Sequence, residues 1–347
     1  MVGFWSQRIG AFEVSEASCD AEGVLELGLL DDKGRPWKLR CRIGREPPYL
    51  LEFYSAAKPL PRGLQIRLAT EADAPALADL ERACPIELDD GSRVTMVRGR
   101  AVFEQLRMMP AWARLWLVED SGTVIACDAN AVHPTSIAGR PVQLVYRFHT
   151  RVLPSHQRLG LNEALVAWTG EERFRAGIRP DGFYVYIDPR NQVIRDWSPS
   201  APWKVRPFRA LLRCDAIAGP ETGRPATSAD APRIVALLNS AHGREELFTP
   251  HDTDGVAARL ARLPARYGFA QLWLTENAVV GVWEDEEERI LERAGSREQS
   301  RRATVLDWGF ASPGGVASLE ALVRGWCARL AARGVSHLSL FASNSSP

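Results

Sequence analysis

Thr150-Arg-Val-Leu-Pro-Ser-His-Gln-Arg-Leu-Gly-Leu-Asn162 is the stretch of this chain best suited to hold an anion. A strand pattern ends near Leu153, a short polar loop follows, and a helix pattern begins at about Gly160. The first turn of a helix carries unpaired N–H groups and the positive end of the helix dipole. A loop that wraps further amides ahead of that turn makes a phosphate cradle. Gly160 lets the backbone approach such a group, Gln157 and Arg158 add donors and charge, and Leu159, Leu161 and Asn162 complete the turn into the helix. His156 lies in the loop as a further donor. One Gly in a loop serves an ordinary strand–turn–helix equally well, so the loop alone leaves both readings open.

The elements around this loop follow from pattern. Leu64–Leu68 reads as a short strand, and Thr70 with Asp73 three residues on reads as a helix cap. Ala74, Leu77 and Leu80 fall on one face of the helix so started. A second helix is expected over about 94–108. Leu115–Val118 and Thr123–Ala126 flank a hairpin turn at Glu119–Gly122, and 142–152 is a long strand. After the loop come a helix to about Ala176, a strand at Phe183–Ile187 and a closing strand at Phe208–Arg213.

The same elements return. Arg67-Leu-Ala-Thr-Glu-Ala-Asp-Ala-Pro75 reappears as Arg224-Pro-Ala-Thr-Ser-Ala-Asp-Ala-Pro232, Trp116-Leu-Val-Glu119 as Trp273-Leu-Thr-Glu276, and Glu163-Ala-Leu-Val166 as Glu320-Ala-Leu-Val323. Position 67 returns at 224, 116 at 273 and 163 at 320, a constant shift of 157, so the chain holds two copies of one domain. The second copy has Gly314-Gly-Val-Ala-Ser-Leu319 where the first has its loop, and lacks any counterpart of 190–216. Its charged insert, about 284–302, is expected to be a solvated hairpin loop. Residues 1–62 read as a small β-rich structural or dimerisation unit, with a hairpin of Val24–Leu30 and Trp37–Ile43 and a third strand at Tyr49–Tyr54.

Composition narrows the function classes. The formal net charge of zero argues against a nucleic-acid or membrane surface. The six cysteines form no C-x-x-C and are scattered, against a zinc site or a disulfide framework. No apolar h-region opens the chain and no run approaches a bilayer span, so a soluble, cytoplasmic protein without metal is expected.

The order of elements and the segment Gln157-Arg-Leu-Gly160-Leu-Asn162 resemble the GNAT acyltransferases, whose fourth strand ends in a pyrophosphate loop of the form Gln/Arg-x-x-Gly-x-Gly/Ala followed by a long helix. Gln157 and Gly160 match; Asn162 stands in place of Gly or Ala, and Asn tolerates unusual backbone angles. Asp188-Pro-Arg-Asn191 also resembles the family, in which an Asn after the fifth strand faces the pantetheine arm. The Tyr often found seven residues later is Ser198 here. The resemblance covers about 64–215, and 220–342 through the repeat.

The resemblance implies an α/β (α+β) fold of two tandem GNAT-like mixed-sheet domains, 63–218 and 219–347, behind the β-rich unit. The second is degenerate, shortened and not expected to bind CoA. It implies that acetyl-CoA is the donor and that an amine, on a small molecule or a protein, attacks the thioester directly. A backbone N–H near Val152 or Leu153 would polarise the thioester carbonyl. A general base would neutralise the amine, with His149, Tyr146 and Glu87 as candidates. The aromatic stretch Asp196–Trp203 would wall the acceptor pocket. Homo-oligomerisation stays open. So does the alternative of a non-catalytic CoA-binding or structural pseudoenzyme, which Asn162, Ser198 and the absence of an obvious base favour.

Overall fold

The computed structural model describes the strands within 13–57 and, with short gaps, residues 60–184, 210–214 and 219–340. The N-terminal unit is one antiparallel sheet of four strands in sequential order: β1 (Glu13–Cys19), β2 (Val24–Leu30), β3 (Pro36–Ile43) and β4 (Leu50–Ala57). The expected hairpin is β2–β3, with Leu30 opposite Pro36. One strand, β1, precedes it unannounced by the pattern.

The first repeat is a mixed sheet between helices. It holds β5 (Leu64–Leu68), α1 (Ala74–Ala83), β6 (Ile86–Glu87), β7 (Arg93–Val97), α2 (Ala101–Met108), β8 (Ala113–Asp120), β9 (Thr123–Ile137), β10 (Arg140–Val152), α3 (Leu161–Arg175) and β11 (Gly182–Tyr184). The sheet order is β11-β10-β9-β8-β5, antiparallel except for the parallel pair β10–β11. Alternation along β9 sorts its two faces. Cys127, Ala129 and Ala131 pack with Leu77 and Leu80 of α1 and with Val102 and Phe103 of α2. Ala126 lies on the opposite face, with Leu161 and Leu165 of α3 and Trp116 and Val118 of β8. Leu161, Ala164, Leu165 and Trp168 share one stripe of α3, which is why that helix lies on this face. Each fully buried Leu there contributes about 1.5–3 kcal/mol of transfer free energy.

The cap motif folds alike in both copies. The Asp73 carboxylate accepts from the Thr70 N–H at 2.7 Å and from both terminal nitrogens of Arg67, at 2.9 and 2.6 Å. Asp230 does the same with Thr227 and Arg224. The second repeat comprises β13 (Arg224–Pro225), α4 (Ala231–His242), α5 (Thr253–Leu260), β14 (Leu272–Leu274), β15 (Ala278–Trp283), β16 (Glu288–Arg293), β17 (Ser296–Phe310), α6 (Gly315–Ala331) and β18 (His337–Leu340).

Three expectations are corrected. Residues 94–108 are not one helix: Val94-Thr-Met-Val97 belongs to β7, and Gly99, at φ +47°, turns the chain into α2. β-branched residues and a partner strand outweigh the helical pattern there. The charged insert is not a solvated loop. It forms β16 and the start of β17, joined by a tight turn with Gly295 at φ +78°, and β16 pairs with β7 of the first repeat. Glu287, Arg289 and Arg302 are buried at this seam. Finally, the strand expected to close the first sheet, seen as β12 (Ala210–Arg213), pairs antiparallel with β18, Ala210 opposite Leu340. A strand from the span of the first copy thus extends the sheet of the second.

Candidate active site

The end of β10 is shaped by a bulge. Phe148 faces Ala129 and Arg151 faces Cys127, so β10 carries one extra residue against Asp128 of β9. His149 takes the left-handed conformation at φ +56°. Below the bulge β10 pairs with β11 from Leu144 to Tyr146, with Tyr146 opposite Tyr184.

Beyond it the chain enters the predicted loop. Pro154–His156 makes a 3₁₀ turn, and Arg158 and Gly160 take left-handed angles at φ +64° and +80°. Two such angles within three residues curl the backbone amides toward one side. The Ala164 N–H donates to the Gly160 carbonyl at 2.9 Å, which makes Gly160 the residue ahead of α3. Among the described residues no acceptor meets the N–H groups of Leu159, Gly160, Leu161, Asn162 or Glu163. Gly160 has no side chain to cap them, so these N–H groups are the donors at the start of α3.

The structure also corrects the role of Asn162. The left-handed positions fall on Arg158 and Gly160, while Asn162 lies in the first turn of α3 with its side chain turned to the sheet. Its Oδ1 accepts from Arg147 Nη2 at 2.6 Å. Arg147 Nε donates to Asp128 Oδ1 at 2.8 Å, and Thr150 Oγ1 donates to the same oxygen at 2.5 Å. Asn130 Nδ2 donates to Asp128 Oδ2 at 2.7 Å, and Arg173 of α3 reaches Asn130 at 3.4 Å. Burial lowers the Arg173 guanidinium to about 10. This network beneath α3 was not visible in the sequence, because its members come from three elements.

The other cradle candidates are placed as follows. Gln157, exposed, folds its amide back toward the Val152 carbonyl at 3.4 Å. His156 contacts Ser155 Oγ at 2.9 Å and Asp120 at 3.5 Å, away from the first turn of α3. The Leu153 N–H donates to the Ile125 carbonyl at 2.8 Å, and the Val152 N–H is directed at the Cys84 thiol. Both amides expected to polarise an acyl carbonyl therefore have acceptors within the fold, that of Leu153 next to β9 and that of Val152 at the end of α1. Val152 and Leu153 pack their side chains against the cluster under α3. Asn191, Ser198 and Asp196–Trp203 lie outside the described residues.

The three base candidates are not brought together. The His149 side chain is 1 % exposed and faces Glu81 of α1, with Nε2 3.3 Å from Oε1. Burial, reinforced by Arg151 and Arg98, pushes its imidazole well below the ordinary range. Tyr146 is half-buried and stacks on Phe148 with ring centres 4.8 Å apart. Glu87 is exposed on β6 and paired with Arg93 at 2.7 Å.

The second copy is built differently at the equivalent place. Its loop, 311–314, is half as long as the first copy's 153–160. A Cβ on Gly315 would sit 2.6 Å from Phe310 Cβ and 2.9 Å from the Asn277 carbonyl, and a Cβ on Gly309 would sit 2.6 Å from the Leu237 carbonyl. Gly315 at the helix start is thus packed against the end of the sheet, while Gly314 ahead of it stands in open space.

The long strand, open loop and helix, repeated in tandem, match solved structures of Saccharomyces cerevisiae N-myristoyltransferase with bound myristoyl-CoA. One, at TM-score 0.56 and 10% identity, covers 86% of this chain and 75% of the other. A second, with inhibitors, gives TM-score 0.57 at 10% identity over 86% and 76%. The chain has the GNAT fold, in tandem. No sequence family matches it, and no curated protein matches it in sequence. Among the described residues no helix of this GNAT-fold chain is long and apolar enough to cross a membrane, and no group of His, Cys, Asp and Glu has metal-site geometry.

Proposed function

We propose that the chain is an acyl-CoA-dependent N-acyltransferase whose first repeat holds the donor. One observation carries this reading: ahead of α3 Arg158 and Gly160 both take left-handed angles and the N–H groups of 159–163 meet no acceptor among the described residues, while the loop of the second copy is half as long. In this reading the pyrophosphate of CoA lies on the N–H groups of 159–163, and the pantetheine arm follows β10 past Val152 toward the bulge. Asn191, beyond the described residues, would face that arm. The donor is acetyl-CoA and the acceptor a small-molecule amine. The amine nitrogen attacks the thioester carbonyl, the carbon–sulfur bond breaks, and the CoA thiolate leaves and takes up a proton. Tyr146, half-buried on β10, and Glu87, exposed on β6, are the side chains taken to reach the acceptor. The protein acts in the cytoplasm, without metal.

Calorimetry with acetyl-CoA tests the donor site. Release of free thiol in the presence of an amine panel tests transfer. A second reading, a CoA-binding pseudoenzyme, is favoured by two observations: His149 is sealed in the core and Glu87 is paired with Arg93. Binding without thiol release across the panel selects it; no binding removes both.

A further inference from the structure

The strand leading into the cradle is bent at a residue held in a strained conformation, and named contacts hold the bend. A non-glycine residue at φ +56° persists only where its surroundings fix it. The Cys127 thiol donates to the His149 carbonyl at 3.2 Å, and Thr150 is tied to Asp128. The third contact is made by the ring. Glu81, on the last turns of α1, is buried. Its Oε2 accepts from the N–H groups of Arg98 and Gly99 at 2.8 and 2.9 Å, fixing the turn between β7 and α2. Its Oε1 faces His149 Nε2 at 3.3 Å, and neither atom has an aligned hydrogen bond to any described residue.

We propose that Glu81 and His149 form an uncharged pair sharing one hydrogen, and that this pair positions the β10 bulge and so the cradle that follows it. Protonated Glu81 donates through Oε1 to a neutral His149 Nε2 while Oε2 keeps its two backbone donors. The groups facing the pair from the surrounding elements are Arg98, Arg151, Cys84, Cys127 and, across β9, Asp128. Two cations beside the imidazole oppose a third. Burial raises the Glu81 carboxyl and lowers the His149 ring, so both directions favour the uncharged pair. The effect on the cradle rests on the function proposed above; the pair itself does not.

Ring ¹⁵N NMR of His149 in the full chain reads the pair without any ligand. A neutral ring that does not titrate between about pH 5 and 8 is expected; a titration in that window overturns the proposal. Glu81→Gln keeps a carbonyl for the two backbone donors and an N–H for His149, so it should bind acetyl-CoA as wild type does. Glu81→Ala should weaken acetyl-CoA binding about tenfold. His149→Gly relieves the left-handed strain, so it folds, and it should show the same weakening. Equal damage from Glu81→Gln and Glu81→Ala, or full binding by His149→Gly, overturns the positioning role. If wild type binds no acetyl-CoA, the donor site falls and the positioning role with it, while the NMR result still decides the pair.

Discussion

Arg147 Nη2 donates to Asn162 Oδ1 at 2.6 Å, so one guanidinium on β10 holds the first turn of α3 against the sheet. The same side chain neutralises Asp128, which is fully buried. The two halves of this link should respond differently to mutation. Asn162→Ala removes one hydrogen bond from a half-buried group and should cost about 1 kcal/mol in thermal unfolding. Its larger effect should be a several-fold loss of acetyl-CoA affinity in calorimetry, because the cradle amides ride on that turn. Arg147→Ala strands the Asp128 carboxylate and should cost about 3–5 kcal/mol. Unchanged affinity in Asn162→Ala would show that the helix start needs no such tether.

Gly160 offers a sharper test of the cradle. It is buried at φ +80°, ahead of α3. Gly160→Ala strains the backbone by about 1–2 kcal/mol and should lower the melting temperature by a few degrees. Gly160→Trp places a large side chain at this buried, left-handed position ahead of the amides and should abolish acetyl-CoA binding. Circular dichroism should still show the native helix and strand content. The equivalent bulk on the second copy, Gly314→Trp, stands in open space and should leave acetyl-CoA binding unchanged.

Much of this architecture was legible because it is written in local patterns. The hairpin β8–β9, the long strand β10, the loop with Gly160 and the helix α3 each follow from alternation, a polar turn or an i, i+3, i+4 stripe. The cap at Thr70 and Asp73 returned at Thr227 and Asp230 with the same hydrogen bonds. What was not legible depends on pairing between distant segments. Val94–Val97 became a strand because Glu288–Glu292 lies beside it, 190 or more residues away. β12 left its own sheet for β18, which no local signal marks. The separation of the candidate bases has a related reason. His149 lies on the long strand, and at the bulge its ring faces Glu81 of α1. Asn162 was read for its backbone tolerance and is used for its side-chain carbonyl.

Acid should loosen both copies through the repeated cap. Hydrogen bonds from Arg67 hold the Asp73 carboxyl at about 2, below its ordinary 3.8, and Arg224 lowers Asp230 in the same way. A carboxylate with a depressed folded-state pKa stabilises the fold above its unfolded value and loses that contribution as pH falls through the folded one. Stability should therefore drop between about pH 4 and pH 2, with little change from these groups above pH 5. Asp73→Asn should flatten part of that slope in melting temperature against pH. An unchanged slope would mean that the pair is screened by solvent at this half-exposed site.

The last prediction concerns the seam. Arg98 Nε donates to Glu287 Oε2, and both the pair and the adjoining β7–β16 ladder join the two repeats. Glu287 is buried, and its carboxyl stays below the ordinary range because Arg98, Arg302 and Arg289 offset its burial. Removing one partner of such a pair leaves an uncompensated charge, so Arg98→Ala should cost about 3–5 kcal/mol. Glu287→Gln keeps the shape, removes that charge and leaves three arginines with one anion fewer; the double variant should be more stable than the sum of the singles predicts. The Arg98 backbone N–H serves Glu81, so a side-chain substitution at 98 tests the seam without deleting the Glu81 contacts. With β12 crossing one way and β16 the other, wild type should unfold in a single calorimetric transition. Two separate transitions in wild type would contradict this, since each repeat would then hold its sheet without the other's strand.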